Sequence, residues 1–189
     1  LIVCSACIAG EVPSSILKDD IARAREAIEW YQRMFGEDYY LELQRHEVKD
    51  PTIRANRDTF PLQQKANKVI VKLAKEYGIK LVCTNDSHFV DKENAEAHDH
   101  LLCLSTGKDL DDPARMLYSK QEWFKTREEM NEVFADIPEA LSNTVEVLDK
   151  VELYDIEHSP IMPFFPIPES FGTEGQWRQK FTEKQLYDE

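Results

Sequence analysis

The hydrophobic residues of this chain change period along its length. Leu1-Ile-Val-Cys-Ser5 is a continuous apolar run of the kind a buried strand shows. A loop marked by Gly10 and Pro13 follows it. From Asp19 to Phe35 the period becomes helical, with Ile21, Ala24, Ile28, Tyr31 and Phe35 on one stripe. Asp19 and Asp20 suit the positive N-terminal end of that helix, and Gly36 suits its stop. Tyr39-Tyr-Leu-Glu-Leu43 reads as a second strand, running into Gln44-Arg45-His46. A polar stretch follows, through Pro51 and Arg57. Pro61 fits the first turn of a second helix, whose apolar face is Ala66, Val69, Ile70, Leu73, Ala74 and Tyr77. Gly78 ends it. At about 1.5 Å per residue this helix spans roughly 25 Å, enough to cross a sheet. Ile79-Lys-Leu-Val-Cys-Thr84 is the third strand.

Strand, helix, strand, helix, strand is two successive βαβ units, which predict parallel strands and right-handed crossovers. The remainder reads as mostly helical. Asp91 to Leu104 is one helix. Ser119 with Glu122, and Thr126 with Glu129, have the spacing of capping boxes. Asp136, Pro138 and Glu139 start the last clear helix, with Ala140, Leu141, Val145 and Leu148 as its apolar face. Four prolines between Pro160 and Pro168 predict a stiff, extended boundary. Beyond it, Glu174 to Tyr187 suits a short helix. Three parallel strands are too few to close a barrel and make an unusually small sheet. The chain opens on Leu1 rather than Met and runs straight into a strand. The expectation is a piece of a longer protein, with the first strand lacking a partner on one side and inclined to self-associate.

Composition narrows the function classes. The 189 residues are 42% hydrophobic and 10% aromatic, which excludes a disordered chain. Lys plus Arg is 23 against 36 Asp plus Glu, a formal charge of −13. A free-standing DNA-binding module should instead carry a basic face. No apolar run approaches the roughly 18 residues of a membrane span. The four cysteines do not suggest a disulfide scaffold, so reduced thiols in a cytoplasmic protein are expected. Cys4-Ser-Ala-Cys7 is a C-x-x-C, but on a strand its two thiols face opposite sides, and no second pair completes a zinc site.

The sharpest chemistry is Thr84-Asn-Asp-Ser-His88, at the strand edge where α/β folds place their sites. On a strand, positions i and i+2 point the same way, so Asp86 and His88 can offer a carboxylate and an imidazole to one ion. Zinc, manganese and iron accept such donors. The bland alternative is a turn-capping Asp86 and a surface His88. Cys7 and His46 follow the first two strands, and parallel strands gather their C-terminal ends on one edge, so both could approach that pair. The bland alternatives, more common for such residues, are a small buried thiol for Cys7 and a loop histidine for His46. His98-Asp-His100 mimics a metal motif, but in a helix i and i+2 are about 200° apart, which points to helix-surface residues. No phosphate-binding glycine loop, nucleophile elbow or basic-aromatic cluster is present in the sequence.

Six blocks in this order resemble one family. They are Leu1-Ile-Val-Cys-Ser-Ala-Cys-Ile-Ala-Gly-Glu-Val12, Tyr40-Leu-Glu-Leu-Gln-Arg-His46, Val82-Cys-Thr-Asn-Asp-Ser-His-Phe89, Ala95-Glu-Ala-His-Asp99, Leu101-Leu-Cys-Leu-Ser-Thr-Gly-Lys108 and Phe134-Ala-Asp-Ile-Pro-Glu-Ala-Leu-Ser-Asn-Thr144. Together they resemble the PHP (polymerase and histidinol phosphatase) domain of bacterial DNA polymerase III alpha subunits, from Leu1 to about Pro168. The resemblance implies a partial distorted (β/α)7 barrel with a mostly helical C-terminal half. It implies the C-terminal portion of a PHP domain over 1–159, a proline-rich linker over 160–168 and the start of the polymerase palm region over 169–189. It carries Cys7, Asp86 and His88 over as metal ligands and leaves His46 as a site-lining residue. The family's opening H-x-H and its palm aspartates have no counterpart in this sequence. The implied cofactor is a divalent metal, zinc, manganese or iron, held by the complete domain and weakly or not at all by these residues alone. The implied role in DNA replication is structural, with metal-dependent 3′–5′ exonuclease activity in some members. DNA, through the rest of the polymerase, and other replicase subunits are the implied partners. A separate phosphoesterase of the histidinol phosphatase type and a non-catalytic scaffold are the alternatives.

Overall fold

A computed structural model describes residues 1–48, 54–163, 170 and 172–180. The three runs expected as strands form one parallel sheet in chain order: β1 (Val3–Cys4), β2 (Tyr39–Gln44) and β3 (Leu81–Thr84). Val3 lies opposite Tyr39, and the β2–β3 register runs from Leu41 opposite Leu81 to Gln44 opposite Thr84. The middle strand is buried almost throughout, as expected of a parallel strand covered by helices. β1 is shorter than the apolar run that announced it, because Ser5 leaves the ladder through its side chain. The Ser5 N–H still reaches the Tyr40 carbonyl at 3.1 Å, while the Glu42 N–H donates to Ser5 Oγ at 2.8 Å.

Tyr39, Leu41 and Leu43 alternate along β2 toward a core that also holds Leu81 and Cys83 of β3. The helices that fill this core are α1 (Glu11–Leu17), α2 (Ile21–Phe35) and α3 (Arg54–Tyr77), joined by Phe134, Ile137 and Ala140. α1 replaces the loop expected around Gly10 and Pro13. Pro13 sits in its first turn, where a missing N–H costs nothing, and Val12 with Ile16 buries one side. Gly10 is required there, since a Cβ would stand 2.3 Å from the Ser5 carbonyl oxygen. α2 follows its predicted stripe, and Asp20 caps it by accepting the Arg23 N–H at 3.0 Å.

α3 begins at Arg54, seven residues before the Pro61 expected to open it, so Pro61 lies inside the helix. The proline removes one intrahelical bond, and the long apolar face beyond it holds the helix by packing. The next helix, α4 (Ala95–Thr106), is preceded by a 3-10 turn at Lys92–Asn94 and stops at Gly107. Thr126 and Glu129 make the expected capping box and start α5 (Arg127–Val133). Ser119 and Glu122 start no helix. Glu122 Oε1 does accept from the Ser119 N–H at 3.1 Å and hydroxyl at 2.5 Å, but the segment pairs instead through a parallel bridge between Phe89 and Trp123.

α6 (Pro138–Asp149) lies along β3, where Asn143 Nδ2 donates to the Leu81 carbonyl at 2.8 Å. Glu146 takes the Tyr40 hydroxyl at 2.7 Å and Lys80 at 2.6 Å. Only Ala140 of its expected apolar face is fully buried. Leu141 is half-buried, and Val145 and Leu148 are exposed. Sheet-edge polar groups decided which side of this helix faces inward.

These elements make one compact unit, Leu1–Glu152. Leu153–Glu189 is a second unit. Its described part is an exposed stretch without regular structure over 153–163, and a short helix, α7 (Glu174–Lys180). Of the proline-rich stretch, residues 164–168 lie outside the described residues, as do residues 181–187 of the expected last helix. No helix among the described residues is long and apolar enough to cross a membrane.

Candidate functional site

The site is built where β3 ends. Asn85 is buried and bonded on every side. Its Nδ2 donates to the Trp123 carbonyl at 2.8 Å and the Gln121 carbonyl at 3.0 Å, and its Oδ1 accepts Lys125 Nζ at 3.2 Å. With Asn85 pinned, the chain turns sharply: Asp86 has φ +47° and is exposed. The His88 N–H then donates to the Glu122 carbonyl at 2.8 Å. This turn brings His88 Nε2 to 3.5 Å from Asp86 Oδ1. The two side chains do converge, but through a left-handed residue beyond the strand and not through strand pleating.

His46, just past β2, is only 3% exposed. Its Nε2–H donates to the Asn85 carbonyl at 2.9 Å, and its Nδ1 accepts Gln63 Nε2 at 3.1 Å. Those partners fix the tautomer, and the His46 N–H adds a bond to Gln63 Oε1 at 2.8 Å. Burial pushes the imidazole below the usual histidine range, against the pull of nearby Glu122. His46 is thus a neutral strut tying β2 to the turn after β3, with both ring nitrogens taken.

Cys7, in the loop after β1, is half-buried and lines a narrow crevice with Gln44, Gln63 and Asn67. Among the described residues, no group of three or more His, Cys, Asp or Glu side chains is placed to hold a metal ion. The donors that converge are therefore the Asp86–His88 pair. As arranged, Cys7, Asp86 and His88 do not by themselves fit a three-ligand centre.

Three neighbours of that pair escaped the sequence reading. Tyr118 sets its ring edge-on to His88, centroids 4.6 Å apart, and to His98 at 5.1 Å. Burial first, then the charges of Asp86 and Glu122, push its hydroxyl upward in pKa. His98 leaves the helix surface expected of it and packs on His88 at 5.5 Å and Phe89 at 5.2 Å. His100 stays exposed and bonds its own helix at the Glu96 carbonyl, 2.7 Å away. Glu122 is 2% exposed, with Oε1 held by Ser119 and Oε2 unpartnered among the described residues. Its capping-box spacing gave it a local explanation that hid this position. Beside it, Lys125 lies over the Trp123 ring at 3.5 Å, and burial pushes its ammonium down to about 8.

A parallel strand edge carrying these groups is the partial, distorted α/β fold of the PHP type. Residues 1–46 match the PHP domain family. The chain is 39% identical over 184 residues to DNA polymerase III subunit alpha of Borreliella burgdorferi, covering 96% of this chain and 15% of that protein. It is 36% identical over 183 residues to the Campylobacter jejuni subunit, with 91% and 14% covered. The Treponema pallidum subunit is 30% identical over 190 residues, with 100% and 15% covered. The chain thus spans about 15% of the length of these curated relatives. It belongs with the PHP-domain region of bacterial DNA polymerase III alpha subunits.

Proposed function

We propose that this chain works in DNA replication, as part of the PHP domain of a DNA polymerase III alpha subunit. Its own contribution is structural, together with a partial donor set for a divalent metal. The observation that carries this reading is the 39% identity extending over 96% of the chain. Asp86 and His88 supply the convergent donors beyond β3, and Cys7 a thiol beyond β1, with β2 between the two strands. Tight binding of zinc, manganese or iron requires donors beyond these three. DNA and other replicase subunits are engaged by the whole polymerase, which suits a chain with a formal charge of −13.

The test uses the full polymerase subunit carrying Asp86→Asn or His88→Ala. Bound metal and 3′–5′ exonuclease activity should both fall, while primer extension persists. Unchanged metal content and nuclease activity would overturn the donor assignment and leave a scaffold. That scaffold reading has its own support in His46, whose ring nitrogens are both committed to structural bonds. Metal analysis of the 189-residue chain completes the test. Stoichiometric, tightly held metal there would sink the requirement for further donors.

A further inference from the structure

The Asp86–His88 pair raises a question of geometry. At 3.5 Å, His88 Nε2 and Asp86 Oδ1 are too far apart for a hydrogen bond that could orient the ring. The His88 side chain is also one-third exposed, so tight burial does not hold it either. What touches the ring is aromatic. Tyr118 meets it at 4.6 Å with the planes 61° apart, and His98 meets it at 5.5 Å with the planes 38° apart. Tyr118 and His98 also meet each other at 5.1 Å, closing a triangle of three rings.

We propose that Tyr118 and His98 are positioning residues for His88, bracketing its imidazole so that Nε2 stays turned toward Asp86. The inference deepens the reading of Asp86 and His88 as a donor pair and rests on it only for its metal-binding consequence.

Each arm of the bracket is anchored apart from the pair. His98 stands on α4, and the next residue, Asp99, holds Arg115 in a two-pronged ion pair at 2.5 and 2.9 Å. That pair ties α4 to the loop leading into Tyr118. Ser119, directly after Tyr118, is buried and donates to Glu122 Oε1. Glu122 in turn accepts the His88 N–H on its carbonyl oxygen. Ser119, next to Tyr118, and His88 therefore hang from the same residue, one from its side chain and one from its main chain. The edge-on contact from Tyr118 and the tilted one from His98 favour one ring orientation of His88 over the others. A ligand fixed in advance in this way binds metal more tightly than a free one, by about 10–100-fold where the outer partners of ligands have been removed.

The experiment reads the side-chain rotamer of His88 by NMR in the 189-residue chain, from its χ1 couplings and the nuclear Overhauser contacts of its ring. The expected result is a single rotamer in contact with ring 118 in the native chain and in Tyr118→Phe, which keeps the ring. Tyr118→Leu should give couplings averaged over several rotamers, with the unfolding midpoint of the rest of the chain little changed. His98→Leu serves as the second variant if Tyr118→Leu does not fold. A single native rotamer of His88 surviving in both Leu variants would overturn the proposal. Titration with zinc alone in the full polymerase subunit provides the second readout, where Tyr118→Leu should weaken binding about tenfold and Tyr118→Phe should not. Weakening in Asp86→Asn without weakening in Tyr118→Leu would also overturn the bracket. Zinc binding indifferent to Asp86→Asn would instead remove the donor-pair reading, and the NMR result would still decide the bracket.

Discussion

Lys125 shows how far a side chain's chemistry is set by residues distant in sequence. Its ammonium lies over Trp123, donates to Asn85 Oδ1 and the Gln121 carbonyl, and is driven by burial down to about 8. Unfolded, a lysine titrates near 10.4. Between roughly pH 8 and 10.4 the unfolded chain binds the proton more strongly, so this residue makes stability rise with pH in that window. Lys125→Met should abolish that component. The check is the difference in urea midpoint between the two proteins, which should change between pH 8 and 10 and stay flat from pH 6 to 7. None of this is written locally. Asp86 and His88 were legible because two residues apart is a short-range relation. Tyr118, His98 and Glu122 were not, because their positions depend on the bridge between Phe89 and Trp123, more than thirty residues apart in sequence.

Elements were legible where period and caps agreed. The stripe from Ile21 to Phe35, the Thr126–Glu129 box and the three strands all stand where local pattern put them. Thr126→Ala should cost about 1 kcal/mol, read as a lower denaturant midpoint with an unchanged slope. The failures come from residues with two meanings. Pro61 looked like a helix start, yet α3 runs through it. Replacing it restores an intrahelical donor, so Pro61→Ala should stabilise the chain by about 1–2 kcal/mol, allowing for the looser unfolded state. Thermal melts would measure it. Pro13 and Gly10 looked like a loop, although a proline in the first turn and a glycine before it also start a helix. On α6, hydrophobicity misjudged half the inward face because the sheet offered hydrogen-bonding groups, the Leu81 carbonyl of β3 to Asn143 and the Tyr40 hydroxyl of β2 to Glu146.

At the scale of the molecule, the chain divides into two compact units, Leu1–Glu152 and Leu153–Glu189. Residues 153–163 are exposed throughout. Brief digestion with a glutamate-specific protease should therefore cut at Glu152 or Glu157 before any site within residues 1–151. The shortened product should keep the unfolding midpoint of the intact chain. Mass spectrometry of the first product, followed by a melt, checks both expectations. The small parallel sheet was readable from strand–helix alternation. That Asp86 and His88 come together was expected from their spacing, although the left-handed turn at Asp86 and not strand pleating brings it about. How the strand ends are braced was not readable, since that depends on which distant segments cross the sheet edge.

The sheet has one further consequence, for how the chain acquires its shape. Strand order follows chain order, so each strand can dock on the one made just before it, as residues leave the ribosome. The exception is α6, whose Glu146 reaches back 106 residues to Tyr40. Closing so long a loop is entropically the slowest of these steps. The growing sheet thus waits longest with its β3 side bare, until α6 arrives to seal it.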